Sequence, residues 1–204
     1  MAADLATTRR CLHAIAEQVM AGPQHRRSNE IALRITNEGF ATVAEPGLEL
    51  TATVLVSTAG EFALDGASCA CLAAAVGVDV GAPRDLYHDL TGVPADEILT
   101  VTPSAARELL EALRRGDAAL RRLEPTQTPI LWPEHFDVGI TADEVNYGVS
   151  PGDGYLDEPY VYVGPWKPRV GEFWNAPFGA ARPLRELPDD ALDDFLAHGR
   201  ELTR

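Results

Sequence analysis

The chain has 204 residues, of which 46% are hydrophobic, so it is long enough to bury a substantial core as one domain. Its formal net charge is -14 and its basic residues are dispersed, which argues against a nucleic acid or an anionic membrane surface as partner. No basic segment leads into an apolar run at the N-terminus, and no apolar run approaches bilayer-spanning length, so we expect a cytoplasmic protein.

The N-terminal half predicts a helix followed by hairpins. Apolar residues recur at helical spacing from about Ala3 to Met20, and we expect Gly22-Pro23 to end this helix. Apolar and polar residues then alternate over 31–36 and 40–43, which predicts two strands joined by a hairpin turn. The same alternation over 48–56 predicts one longer strand with a solvated face.

Two further helices complete this half, residues 1–124. Ser68 is suited to cap a short helix over 69–76, and Thr102-Pro103 is suited to open a longer one. Between the two helices, residues 81–96 are rich in turn formers and are predicted to be irregular.

The C-terminal half, residues 125–204, differs in composition. Trp, Tyr, Gly and Pro become frequent from Ile130, which predicts short strands, until Pro188-Asp189-Asp190 begins a final helix whose acidic first turn suits the helix dipole. The order of elements is not the alternation of strand and helix that builds a parallel sheet. We therefore predict an α+β fold, with two hairpin-rich, mainly antiparallel sheet regions and flanking helices in a single compact domain, 1–204.

The segment from Trp132 to Ser150 is interpreted as a hairpin with its turn at Ala142-Asp143. Pairing outward from this turn places Val138 opposite Tyr147, within an all-apolar set on one face of the ribbon. The other face is then polar, and its members are His135, Asp137, Gly139, Thr141, Glu144, Asn146, Gly148 and Ser150.

On the polar face, each bulky polar residue in the middle stands opposite a glycine. Asp137 faces Gly148 and Asn146 faces Gly139, so either a ligand or another layer of the protein has room to approach the backbone. The alternative is a solvated face on which the glycines mark bulges or bends.

His135 and Asp137 are the candidate catalytic residues. In one hypothesis Asp137 orients His135, and the imidazole moves a proton for a bound small molecule. In the other, both are metal ligands, with Glu134, Glu144 or Asp153 as a third. The sequence has no motif of the common hydrolase, nucleotide-binding or zinc-protease families, and it singles out no cofactor.

Further candidates surround this pair. They are polar or aromatic residues of the same segment that are suited to contact a small-molecule ligand. These predicted ligand-binding residues are Asn146, Asp153, Tyr160, Trp166, Trp174 and Asn175.

The rival hypothesis is a protein-interaction module without catalysis. Tyr160 and Trp166 lie on or beside a predicted strand, and aromatic residues are enriched in the cores of interfaces. In this interpretation the strand surface binds a partner protein or a second copy of the chain as a homodimer.

Four blocks of this half also carry a resemblance, and two shorter ones lie near the N-terminus. With them, the chain resembles a family of uncharacterised actinobacterial proteins over nearly its whole length, and the resemblance implies no particular activity, cofactor or partner. The four blocks are LWPEHFD (131–137), NYGVSPGD (146–153), PYVYVGPW (159–166) and FWNAPFGA (173–180), and the shorter ones are Leu12-His13-x3-Glu17 and Ala21-Gly22-Pro23-Gln24.

Overall fold

The protein, described by a computed structural model over residues 2–84, 86 and 90–204, consists of an antiparallel sheet with helices packed against it. The helices in these ranges are α1 (Ala2–Ile15), α2 (Gly22–Ser28), α3 (Cys69–Val76), α4 (Pro103–Leu123) and α5 (Asp189–Thr203). A π-helical turn (Ala16–Ala21) joins α1 to α2, and a 3-10 turn (Leu184–Glu186) precedes α5. The strands are β1 (Leu33–Ile35), β2 (Gly39–Thr42), β3 (Glu49–Thr51), β4 (Val54–Ser57), β5 (Gly60–Ala63), β6 (Ile130–Trp132), β7 (Asp137–Ala142), β8 (Val145–Ser150), β9 (Tyr160–Pro165) and β10 (Ala180–Pro183).

All of these strands belong to one sheet. Its order is β10-β9-β8-β7-β6-β1-β2-β3-β4-β5, and every neighbouring pair is antiparallel. The two predicted hairpin-rich regions are its two halves, and they join where Leu33 of β1 pairs with Leu131 of β6. The α+β prediction is confirmed, with the added finding that the two sheet regions are continuous.

The helices α4 and α5 cover the apolar face of the C-terminal half of the sheet. A Cβ atom placed on Gly116 of α4 would lie 2.7 Å from Cβ of Val149, and one on Gly199 of α5 would lie 2.7 Å from a methyl group of Val163. Glycine at these two positions therefore allows each helix to approach its strand closely. This packing leaves the opposite face of β7, β8 and β9 for polar side chains.

The first helix does not end at Gly22-Pro23 as predicted. The chain passes through the π-helical turn, in which the N–H of Gly22 bonds to the carbonyl of Glu17, and continues as α2. A Cβ atom on Gly22 would lie 1.8 Å from the carbonyl oxygen of Gly81, so this glycine serves a close backbone contact. Pro23, which lacks an N–H, stands in the first turn of α2, and the carbonyl oxygen of Gln18 five residues earlier accepts from the N–H of Gly81 at 2.9 Å instead.

The predicted long strand over 48–56 is also wrong, because the chain reverses within it. It forms β3 and β4, joined at Ala52-Thr53, and the hydroxyl oxygen of Thr51 accepts bonds from the N–H groups of Thr53 (3.4 Å) and Val54 (3.3 Å). A threonine that bonds to the backbone two and three residues ahead supplies a turn that alternating hydrophobicity does not reveal.

The hairpin of β7 and β8 turns one residue later than predicted. Asp143 and Glu144 both have left-handed backbones (φ 53° and 63°), as in a type I′ turn, and Ala142 pairs with Val145. Val138 therefore lies opposite Val149 rather than Tyr147. Because the shift in pairing is two residues, the same side chains remain on each face.

The short helix capped by Ser68 is confirmed, since the Ser68 hydroxyl accepts from the N–H of Cys71 at 3.1 Å. The predicted irregular segment 81–96 has no helix or strand among its described residues, and 85 and 87–89 lie outside them. None of the helices in the described ranges combines the length and the apolar character needed to cross a lipid bilayer.

Candidate functional site

A cavity of about 910 Å³ lies against the polar face of β7, β8 and β9. Its second wall is the face of α1 that carries Arg9 and His13, and its third is the turn between β6 and β7, which carries Glu134 and His135. Phe178, from the loop before β10, also lines it. Segments that are distant in the sequence therefore meet around one space.

The floor of the cavity is built by Asp137 and Tyr162. The Tyr162 hydroxyl donates a short hydrogen bond to Oδ2 of Asp137. To reach it, the ring crosses the glycine pair Gly139 and Gly148, since a Cβ atom on Gly148 would lie 2.4 Å from the Tyr162 hydroxyl oxygen. The prediction that Asp137 faces Gly148 is wrong, because Gly148 pairs with Gly139, and the space above this pair holds the Tyr162 ring.

Asp137 is a buried carboxyl group with incomplete hydrogen bonding. Its residue is 7% exposed, and its Oδ1 is buried with no hydrogen-bond partner among the residues that the structure describes. Burial raises the pKa of Asp137, while the Tyr162 hydroxyl and nearby His135 oppose that rise. Burial, together with the Asp137 carboxyl beside it, also holds the pKa of Tyr162 well above its usual value, so Tyr162 remains a donor.

His135 does not lie on β7 beside Asp137, as the hairpin interpretation predicted. Phe136 has a left-handed backbone (φ 53°) that breaks the extended chain, so His135 lies in the turn before β7. Its side chain is 66% exposed and its nearest carboxylate is Glu134, at 3.9 Å. Within the described ranges no hydrogen bond joins His135 to Asp137, although both line the cavity.

The predicted metal ligands are not gathered at one point. Glu144 lies in the turn at the far end of β7 from His135, where it pairs with Lys167 at 3.0 Å. The structure places no group of three or more His, Cys, Asp or Glu side chains suitably for a metal ion, considering the residues it describes. Asp153, the other candidate, organises its own loop by accepting from the N–H of Tyr155 (2.8 Å) and the hydroxyl of Tyr160 (2.6 Å).

Four of the six predicted ligand-binding residues line the cavity: Asn146, Asp153, Tyr160 and Trp166. Oδ1 of Asn146 accepts hydrogen bonds from Nε1 of Trp166 (3.2 Å) and from the Thr141 hydroxyl (2.8 Å). The Trp166 residue is 62% exposed and lies at the rim, whereas Tyr160 is buried.

The other two, Trp174 and Asn175, do not line the cavity. The amide of Asn175 accepts from the N–H of Ala181 (2.9 Å) and donates to its carbonyl oxygen (3.0 Å), which fixes the loop before β10. Trp174 packs edge-on against Phe173, with ring centroids 5.0 Å apart. Both residues therefore stabilise the fold around the site rather than forming its wall.

The contribution of α1 was missed by the sequence interpretation. His13 stacks on Phe136 with ring centroids 5.1 Å apart, and its Nε2–H donates to the carbonyl oxygen of Pro133 at 2.6 Å. Burial lowers the pKa of His13 to about 4, so it is neutral at pH 7. The four-residue spacing of Arg9 and His13 shows that they share a helix face, but not which part of the chain that face meets.

Tyr162 was also missed, although the signal was present. It alternates with Tyr160 on one strand, so the prediction that placed Tyr160 at the site also placed Tyr162 on the same face. The structure shows Tyr162 as the residue that binds Asp137.

The site thus combines a buried carboxyl group, a phenol held protonated, an exposed imidazole and aromatic walls. Such a set can bind a small organic molecule and exchange protons with it. Comparison of the chain with family models, with curated proteins and with solved structures gives no match.

Proposed function

We propose that the protein binds a small organic molecule in the cavity against β7, β8 and β9. The observation that carries this proposal is the cavity itself, with the buried and incompletely bonded carboxyl group of Asp137 on its floor. Its volume of about 910 Å³ falls in the range of sites that enclose ligands of drug size. A titratable group with a raised pKa inside a cleft is a common mark of a functional site.

The same residues support acid–base chemistry as the form of any catalysis. Asp137, whose pKa is raised by burial, is suited to exchange a proton with a ligand, and the exposed imidazole of His135 lines the same cavity as a second acid–base group. They act separately in this proposal, because the hydrogen bond of Asp137 is made with Tyr162 rather than with His135.

A cavity-filling substitution tests whether ligands bind there. Ala6 lines the cavity from α1, and Ala6→Phe would occupy part of the space without removing a polar group. Thr7→Phe is the matched control, because Thr7 is the next residue of α1, is exposed and does not line the cavity. A diverse small-molecule library would be screened by thermal shift, and the compounds that bind would be measured by calorimetry.

We expect compounds that bind the wild type and Thr7→Phe with equal affinity to lose binding to Ala6→Phe. Compounds that bind all three proteins equally would show that they occupy another surface. A screen in which no compound shows binding sensitive to Ala6→Phe would contradict the proposed function.

The interaction-module hypothesis is supported by one exposed residue. Trp166 offers a large exposed aromatic surface at the rim, whereas Tyr160 is buried and hydrogen-bonded to Asp153. This alternative expects a concentration-dependent homodimer in light scattering that Trp166→Ala disrupts and His135→Ala does not. A monomer at every concentration would leave ligand binding as the function to pursue.

A further inference from the structure

We propose that the ligand of this cavity is a small organic cation, a protonated amine with an apolar or aromatic body. This inference rests on the proposed function, because it names the class of molecule that the same cavity binds. Three sets of observations support it: the carboxylates of the lining, the pairing of the arginines, and the aromatic walls.

The carboxylates that line the cavity have little cationic compensation. Asp137 is bonded to the neutral hydroxyl of Tyr162, and Asp153 is bonded to backbone N–H groups and to the hydroxyl of Tyr160. Within the described residues, the basic side chain nearest to Glu134 is the exposed imidazole of His135, at 3.9 Å. Negative charge that is bonded only to neutral donors attracts a positive ligand.

The arginines of the lining are already paired with carboxylates that do not line the cavity. Arg9 bonds to Asp157 at 2.9 Å, and Arg10 makes two hydrogen bonds to Glu97. Each guanidinium charge is therefore partly balanced by a carboxylate, although Nη1 of Arg9 is buried without a hydrogen-bond partner among the described residues. His13 adds no charge at pH 7, because burial lowers its pKa to about 4.

The walls of the cavity present aromatic rings. Tyr160 stacks on Phe178 with ring centroids 6.4 Å apart, and Tyr162 meets Phe178 edge-on at 6.2 Å. Aromatic faces attract ammonium groups and also bury the apolar body of an amine. The charged group of an anionic ligand would gain nothing from these faces and would be repelled by the carboxylates.

Asp137 is the residue that we expect to meet the ammonium group. Its Oδ1 is enclosed and lacks a donor among the described residues, and the N–H of a bound ammonium group would supply that donor. The net charge of -14 would also raise the local concentration of a cation near the opening.

Probes of one skeleton and different charge test the inference by calorimetry. Phenethylamine is the cation, phenethyl alcohol the neutral analogue and hydrocinnamate the anion. Two variants accompany the wild type: Asp137→Asn, which removes the proposed anchor, and Glu144→Gln, which removes a carboxylate outside the cavity. The two substitutions change the net charge equally, so they separate a local contact from the general field of the protein.

We expect phenethylamine to bind most tightly, and Asp137→Asn to weaken that binding at least about tenfold, as for loss of a charge-assisted hydrogen bond. Glu144→Gln should change it less than about twofold, because exposed charges are screened by salt. Tighter binding of the alcohol or of hydrocinnamate, or equal losses in the two variants, would overturn the inference.

The outcome also separates this inference from the proposed function. If only neutral or anionic compounds bind, and Ala6→Phe abolishes their binding, the ligand class is wrong but the cavity is still a binding site. If no compound of any charge shows binding that Ala6→Phe abolishes, the proposed function fails and the inference fails with it.

Discussion

Gln24, beside the N-terminal half of the sheet, and Asp137, in the C-terminal half, are both buried polar side chains, but they differ in how completely they are hydrogen-bonded. None of the surface of Gln24 is exposed, and both donors and both acceptor positions of its amide group are used in hydrogen bonds. Its Nε2 donates to the carbonyl oxygens of Glu30 (3.2 Å) and Ala32 (2.9 Å), and its Oε1 accepts from the N–H groups of Val43 (2.7 Å) and Ala44 (2.9 Å).

Asp137, in the C-terminal half, is buried to a similar extent but is bonded to one side chain, Tyr162, and its Oδ1 has no partner in the described part of the chain. A buried polar group that is fully bonded stabilises one arrangement of the chain, whereas one that is partly bonded costs free energy. The comparison indicates that Gln24 belongs to the architecture and Asp137 to the site. Four substitutions test it.

The largest effect is expected for Gln24→Ala. The substitution removes four hydrogen bonds and leaves the N–H groups of Val43 and Ala44 without their acceptor, which should cost about 3–5 kcal/mol in the free energy of unfolding. Urea denaturation measures it. The control is Gln127→Ala, an exposed glutamine with one bond to Thr141, for which a loss of less than about 1 kcal/mol is expected. Equal losses would show that Gln24 has no special structural role.

Gly148→Ala should have the next largest effect, because it disturbs the support of Asp137. The added methyl group would lie 2.4 Å from the Tyr162 hydroxyl oxygen and 2.5 Å from ring atom Cζ, so the ring must leave Asp137. Overpacking of this kind costs about 2–3 kcal/mol, measured again as the free energy of unfolding. Gly154→Ala is the control, since its added methyl group would have no heavy atom within 4 Å among the described residues other than its chain neighbours. A stable Gly148→Ala variant would mean that Tyr162 moves without cost.

Features that depend on neighbouring residues could be predicted from the sequence. The Ser68 cap follows from residue type and position, and the two faces of the β7–β8 ribbon follow from alternation. The division of faces was correct even though the turn was placed one residue early, because a pairing shift of two residues does not exchange faces.

Features that depend on distant contacts could not be predicted. The sequence predicts that Gly22 ends a helix, yet this glycine allows the backbone of Gly81, 59 residues further on in the sequence, to approach closely. The left-handed backbone of Phe136, which moves His135 off the strand, places the Phe136 ring against His13 of α1. The hydrogen bond between Tyr162 and Asp137 likewise depends on β9 lying beside β8, which no local sequence pattern predicts.

His13→Gln extends the comparison to a titratable group near the cavity. Burial lowers the pKa of folded His13 to about 4 from 6.5, so between these values the unfolded chain binds the proton more readily and acid destabilises the protein. His13 should therefore contribute a loss of about 2 kcal/mol at pH 5 relative to neutral pH, and His13→Gln should lose less on acidification.

Urea denaturation at several pH values measures this difference. His198→Gln is the matched control, at a side chain of α5 that is 57% exposed. An equal dependence of stability on pH in wild type and His13→Gln would show that other groups cause the acid sensitivity.

Asp137→Asn should have the smallest effect on stability and the largest on the site. Folding raises the pKa of Asp137 through burial, so the stability that this group contributes is present below the unfolded pKa of 3.8 and is lost as pH rises through the folded pKa. At pH 7 asparagine removes the buried charge and can still accept from the Tyr162 hydroxyl, so we expect a melting temperature at or slightly above wild type, a difference within about 1 kcal/mol.

The advantage of Asp137→Asn should shrink as pH falls toward 3.8, where the wild-type carboxyl is protonated as well. Tyr162→Phe is the contrasting variant, because it deletes the donor and leaves the carboxyl group of Asp137 with no side-chain partner, which should lower stability at pH 7. Thermal unfolding followed by circular dichroism distinguishes the Asp137→Asn variant from the Tyr162→Phe variant. If Asp137→Asn costs as much as Gln24→Ala, Asp137 is an architectural residue like Gln24, and its unpartnered oxygen no longer argues for a ligand.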